Sequence, residues 1–207
     1  MVILFLVTGC YPGKIESPAD LDTIATDHDP AFDFKNKSTY YLPSRVFPLS
    51  ADTTRPTTST IDPQLENFIL TKVSANLNAR GFLRIDTITS GKEPDFIVLA
   101  SYAAQNISGT TFVPSYGGYG GYWGSYYGWG SGWGYSMPYY YPVSYSYNTG
   151  TLVLEILDPN NSNQTTKQIP LTWRAVFNGL LTDNVDFQNR LDKNIHQAFI
   201  QSPYIGR

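Results

Sequence analysis

No Lys, Arg, Asp or Glu occurs between Asp95 and Glu155, so residues 96–154 carry no charged side chain. Average globular sequences place a charge at about one position in four, so a stretch of this length constrains the whole fold. Apolar, strand-like runs stand at its two ends, Phe96-Ile-Val-Leu-Ala-Ser-Tyr102 inside it and Thr151-Leu-Val-Leu-Glu-Ile-Leu157 crossing its boundary at Glu155. Its middle, Ser115 to Tyr147, holds 11 of the 16 Tyr, 9 of the 17 Gly and three of the four Trp. Glycine at that density opposes both helix and strand through backbone entropy. Regular structure therefore has to come from the flanks, with 115–147 protruding between two strands as a long Gly/Tyr/Trp-rich hairpin insertion.

The flanks supply the elements of an α+β domain. Asp33 to Pro43 reads as a first strand with Tyr40 and Leu42 on one face, and a Thr/Pro/Asp-rich loop follows from Ser44 to Thr60. From Asp62 to Gly81 the pattern is helical. Asp62 can cap the first turn, Pro63 suits the first helical position, and Gly81 is a left-handed stop. Leu65, Phe68, Ile69, Val73 and Leu77 recur at spacings of three and four, forming one apolar stripe. Phe82 to Asp86 resumes as a strand, Glu93-Pro-Asp95 turns the chain, and 96–102 is apolar enough to be central. A strand over 151–157 closes at Asp158-Pro-Asn-Asn-Ser. Within 168–178, Ile169, Leu171, Trp173 and Ala175 alternate onto one face, and Pro170 argues for an edge or a strand end. Asp183 to Ser202 reads as a second helix, with Leu191, Ile195 and Phe199 every fourth residue and Pro203 as its stop. The predicted architecture is an antiparallel sheet of about five strands with two amphipathic helices on one face.

The first ten residues, Met1-Val-Ile-Leu-Phe-Leu-Val-Thr-Gly-Cys10, end in the only cysteine. An aliphatic residue, two small-leaning residues and then Cys form the pattern of a bacterial lipoprotein signal, cut before a Cys that receives diacylglycerol. On this reading residues 1–9 are signal, Cys10 is the lipidation site and 10–30 are a lipid-anchored tether. Residues 31–207 then form one domain. No Lys or Arg precedes Cys10, so the charged start of a signal peptide is expected a few codons upstream. The competing reading is a buried N-terminal strand with a structural Cys. A transmembrane helix would need about 20 apolar residues, and a lone Cys has no partner within the chain for a disulfide. Two or more acyl chains anchor stably where one does not. Tyr11 after the Cys, rather than Asp, predicts passage to the outer membrane, facing either the periplasm or the surface.

The aromatic insertion admits several roles. Tyr119, Tyr122, Trp123, Tyr126, Tyr127, Trp129, Trp133 and Tyr135 are candidate contact residues, since Tyr and Trp are enriched at interfaces. They could meet an envelope protein or another copy of the chain, stack on a glycan or peptidoglycan, move as a loop without a ligand, or fold back over apolar sheet surface. Nucleic acid is not a partner on this reading, because single-strand grooves need cationic charge and the net charge is −3.

Motifs for chemistry are sparse. His28 lies between Asp27 and Asp29, a loose metal or proton site or a solvated turn. His196 follows Asp192 by one helical turn and can pair with it. Glu155 and Asp158 are candidate paired carboxylates. No spacing fits a zinc site, a phosphate loop or a nucleophile elbow, so no metal, cofactor or catalytic residue is assigned and a non-enzymatic role is expected. Asp22-Thr-Ile, Asp52-Thr-Thr and Asp86-Thr-Ile resemble an Asp-Thr-apolar acceptor that some bacteria O-glycosylate.

In order along the chain, Asp33-Phe34 through Thr39-Tyr-Tyr-Leu-Pro43, Leu77-Asn-Ala-Arg-Gly-Phe82, Pro94-Asp-Phe-Ile-Val98, Thr149-Gly-Thr-Leu-Val-Leu-Glu-Ile-Leu-Asp158 and Leu171-Thr-Trp-Arg-Ala175 resemble the bacterial lipoproteins of domain-of-unknown-function family 4136. The resemblance spans about residues 30 to 203. It implies a small envelope-tethered α+β domain, an aromatic and Gly-rich insertion before the Gly-Thr-Leu strand, and no assigned reaction. The oligomeric state is left open.

Overall fold

A computed structural model describes residues 22–49, 61–86, 93–103, 107–109, 134–136, 145–147, 151–178 and 186–206. Helix α1 (Pro63–Ala79) forms where the cap and stop residues predict it. Asp62 Oδ1 accepts from the N–H groups of Gln64 at 2.8 Å and Leu65 at 3.1 Å. At the other end the Gly81 N–H reaches the Asn78 carbonyl and the Phe82 N–H reaches that of Leu77. This Schellman closure needs a left-handed residue, and Gly81 provides it at φ 89°. Helix α2 (Phe187–Ile200) packs beside α1 and buries Leu191, Ile195 and Phe199.

The strands are β1 (Thr23–His28), β2 (Thr39–Tyr41), β3 (Phe47–Leu49), β4 (Leu83–Ile85), β5 (Phe96–Ala103), β6 (Ile107–Gly109), β7 (Gly134–Ser136), β8 (Tyr145–Tyr147), β9 (Leu152–Leu157) and β10 (Gln168–Asn178). Six of them form a sheet in the order β1-β10-β9-β5-β2-β4. Strands β1, β10, β9 and β5 are antiparallel neighbours, as expected. The sheet as a whole is mixed, because β2 runs parallel to both β4 and β5 and β3 runs parallel to β5. The crossover through α1 returns the chain to the end of the sheet where β2 began, and a crossover of that kind makes parallel pairs.

Three further expectations change. Thr23–His28, inside the predicted tether, instead form an edge strand along β10. The first predicted strand is shorter, a 3-10 turn at Phe34–Asn36 followed by β2. In β10 the register to β9 shifts between Leu171 and Trp173. That bulge divides the predicted face: Trp173 and Ala175 join the core under the helices, whereas Leu171 pairs with Leu157 on the opposite face. Bulges insert one residue and reverse the side-chain alternation beyond them. Pro170 sits in the first part of a strand that is flanked by both β1 and β9, so of the two options it marks a strand end.

One core lies between helices and sheet, and Val73, Leu77, Tyr40, Phe96, Leu154 and Trp173 are at its centre. Phe96 packs edge-on against Phe82 and stacks with Tyr40, and Trp173 stacks on Phe199 at 5.5 Å. The helix-free face is buried as well. Ile97 and Leu99 of β5 and Val153 and Leu157 of β9 are each no more than 2% exposed. Burial on both sides is the physical reason these strands read as near-continuous apolar runs.

Two short ladders involve the aromatic region. Strand β6 pairs antiparallel with β8, and β7 runs parallel beside Gln168–Pro170 of β10. The rest of the predicted hairpin insertion, 115–133 and 137–144, lies outside the described residues, as does 1–21 with Cys10.

Gly81→Ala is expected to destabilise the domain by about 1–2 kcal/mol, the cost of a Cβ in a left-handed residue. A drop in the urea midpoint of unfolding at unchanged m-value checks this.

Candidate functional site

The polar side chains that sequence reasoning singled out are held by the fold in structural bonds. Glu155 lies on the helix-free face, where its Oε1 accepts from Arg174 Nε at 3.0 Å and Nη2 at 2.8 Å. Both residues are buried, at 3% and 8% exposure. Register places Arg174 opposite Glu155 on one side and Asp27 on the other, so charges alternate in sign across three adjacent strands. Asp158 does not converge on Glu155. It caps the 3-10 turn Pro159–Asn161, accepting from the Asn160 N–H and from Asn161 Nδ2.

The histidines are also placed differently from expectation. His28 closes β1 and stacks on Tyr204, with ring centroids 3.7 Å apart and planes 16° apart. Its ring therefore covers the end of the helix-side core rather than a solvated turn. Asp27 and Asp29 turn to nearby backbone, accepting from the His28 and Ala31 N–H groups. His196 does not pair with Asp192: its Nδ1 is 3.0 Å from Asn76 Oδ1, while Asp192 accepts from Lys72 Nζ at 2.6 Å. Both bonds link α1 to α2. The tertiary partner displaces the local i, i+4 pair because Lys72 brings a full charge to the carboxylate.

Two further polar groups were not foreseen. Asp95 fastens the start of β2 to that of β5, accepting from the Ser38 N–H, the Thr39 N–H and the Thr39 hydroxyl at 2.8–3.0 Å. Burial works to raise its pKa, but these donors and the charge of Lys37 outweigh it and hold the carboxyl below its ordinary value. The sequence shows the turn at Glu93-Pro-Asp95, whereas its partners lie over fifty positions away. Asp22, at the entry to β1, accepts from Arg190 Nε at 3.1 Å, from Arg190 Nη2, and from Asn194 Nδ2 at 2.9 Å. The hydrogen bond that Arg190 donates to Asp22 is the main reason its guanidinium stays protonated above its usual range. This buried clamp fixes where the N-terminal segment joins the domain. No periodicity announces it, because its members are 168 positions apart.

Among the described residues, no three His, Cys, Asp or Glu side chains form a group able to hold a metal ion. Of the aromatic candidates, Tyr135 falls in β7, where the backbone alone is described. Tyr119, Tyr122, Trp123, Tyr126, Tyr127, Trp129 and Trp133 lie outside the described residues.

What the described residues define is an α+β domain whose buried charges Glu155, Arg174 and Arg190 are committed to inter-element ties and whose buried Asp158 caps a local turn. The chain belongs to the family described as a domain of unknown function, DUF4136, whose model matches residues 24–204. It is similar to the crystal structure of a DUF4136 family protein from Bacteroides thetaiotaomicron, with 24% identity and a TM-score of 0.62, covering 89% of this chain and 97% of that one. More distant is PelC from Paraburkholderia phytofirmans, a dodecamer in its crystals, at 11% identity and a TM-score of 0.41 over 90% of this chain and 98% of that one. No curated protein matches the chain.

If Glu155 and Arg174 are structural partners, Arg174→Met should cost about 3–5 kcal/mol by leaving a buried carboxylate unpaired. The double variant Glu155→Leu/Arg174→Met should recover most of that loss in urea unfolding. Equal losses in single and double variants would contradict the assignment. For Asp95, a lowered folded-state pKa gives stability that is complete above the unfolded value near pH 4 and is lost as pH falls through the folded value. The wild-type advantage over Asp95→Asn in urea midpoint should therefore be constant above about pH 5 and shrink towards pH 2.

Proposed function

We propose that this is a non-enzymatic envelope lipoprotein, anchored through a diacylglyceryl Cys10 at the outer membrane. In this reading it contacts another envelope component through aromatic rings of the 115–147 insertion. The observation that carries the reading is a contrast within the chain. The body commits Glu155, Asp158, Asp22, Asp95 and His196 to hydrogen bonds with its own elements. The aromatic stretch instead concentrates Tyr and Trp without a single charge. Large amphipathic rings give contact area at low conformational cost, which suits a recognition surface better than a catalytic one. The β6–β8 pairing holds the two arms of the segment together and the β7–β10 pairing ties it to the main sheet, which lowers the entropy lost when a partner binds.

The anchor is tested by intact-mass analysis of protein extracted from native membranes. A mass increase on Cys10 corresponding to diacylglycerol is expected, and an unmodified thiol in cytosolic material would end the lipoprotein reading. The contact is tested by crosslinking in intact cells with wild type and with Trp123→Ala/Trp129→Ala/Trp133→Ala. A protein adduct that falls at least tenfold in the variant supports an envelope-protein partner. Retention on peptidoglycan or a glycan array that depends on the same three tryptophans would instead favour a glycan-binding module.

A further inference from the structure

We infer that the domain stands end-on to a lipid bilayer, with the end of the sheet where β1 begins facing the membrane. The end that carries the 158–167 hairpin then faces away from it. The orientation rests on the acylated Cys10 proposed above and adds to it which surface of the body meets lipid.

Register gathers the near end from five strands. Thr23 opens β1 opposite Asn178, which closes β10, and Leu152 opens β9 opposite Phe177. Tyr102 of β5 lies opposite Leu152, and Leu49 closes β3 beside Ala103. Both helices start at this end as well. Asp22 accepts from Arg190, one turn into α2, and from Asn194, one turn further. The bonds of Lys72 to Asp192 and of Asn76 to His196 set α1 parallel to α2. At the far end His28 stacks on Tyr204, Trp173 Nε1 donates to Ser202 Oγ, and Asn160 Nδ2 donates to the Pro94 carbonyl.

Asp22 is the point where an anchored chain takes hold of the body. Its carboxylate is buried against Arg190, at 6% and 5% side-chain exposure, so tension from the anchor passes into α2. Asp22 lies twelve positions after Cys10, a span of at most about 40 Å when fully extended. The sheet is nearly as long: the 11 residues of β10 cover roughly 35 Å at about 3.3 Å each. Bringing the far end to the bilayer would need an almost straight tether drawn back along the whole domain. That ordering costs conformational entropy at every residue, whereas the near end can meet the bilayer without it. Strand β7 lies beside Gln168–Pro170, so the backbone of Tyr135 stands at the far end. An envelope component met through β7 is therefore met away from the anchoring bilayer.

The experiment adds the full lipidated chain, purified from native membranes, to phosphatidylcholine vesicles that carry a fluorescent acceptor on their headgroups. Gln64→Cys, in the first turn of α1, and Thr165→Cys, in the far hairpin, place a donor dye at exposed positions. With Cys10 acylated, each new thiol is the only one in its chain. Energy transfer from position 64 should be at least twice that from position 165. Equal transfer, or stronger transfer from 165, overturns the orientation and leaves the anchor standing. Protein that fails to float with the vesicles, or that takes dye at Cys10, overturns the lipoprotein reading and the orientation with it.

Discussion

The β5–β9–β10 ladder is buried on both faces, and most of the fold follows from that constraint. A strand with water on neither side contributes twice the apolar area of a surface strand, so three of them can hold a domain of this size together. The same condition makes every polar group on these strands expensive unless it is paired. Glu155 and Arg174 meet it through two charge-assisted bonds, and Thr172 meets it by donating to the Ile156 carbonyl at the bulge. The bulge decides which residues of the strand face the helices. Residues after it place Trp173 and Phe177 beneath the helices, while Leu171 before it faces the other way.

Around this ladder the remaining elements are fastened by a small number of long-range polar ties. Asp22 with Arg190 and Asn194 joins β1 to α2, Asp95 joins β5 to β2, and Lys72 with Asp192 joins the two helices. The outer edge of β10 is shared, with β7 along its first residues and β1 along its last. The edge of β5 is divided in the same manner between β2 and β3. Short strands laid end to end in this way leave less open ladder for unwanted pairing.

For function, the contrast between the two halves of the composition matters more than any individual residue. Glu155, Arg174, Asp22, Arg190 and Asp95 of the body bind one another or the backbone, and the uncharged aromatic stretch meets the main sheet at β7, beside β10, while β6 and β8 pair with each other. Membership of DUF4136 and the likeness to a Bacteroides thetaiotaomicron relative establish the fold and carry no reaction with them. A recognition role resting on Tyr and Trp surfaces is therefore argued from chemistry alone.

Local signals in the sequence determined the elements whose causes are themselves local. The Asp62-Pro63 cap, the Gly81 stop and the heptad-like stripe of α1 act within a few residues, as does the four-residue spacing of Leu191, Ile195 and Phe199. The apolar run 96–102 likewise announced a central strand, and 151–157 a strand, because burial on both faces leaves its mark on consecutive positions. Tertiary structure alone decided that Thr23–His28 join the sheet, that β2 lies parallel to its neighbours, and that a bulge splits β10. It also decided that His196 and Asp192 each take partners on α1. Those outcomes depend on which distant groups arrive opposite one another once the core closes, and neither residue type nor spacing along one chain encodes that meeting.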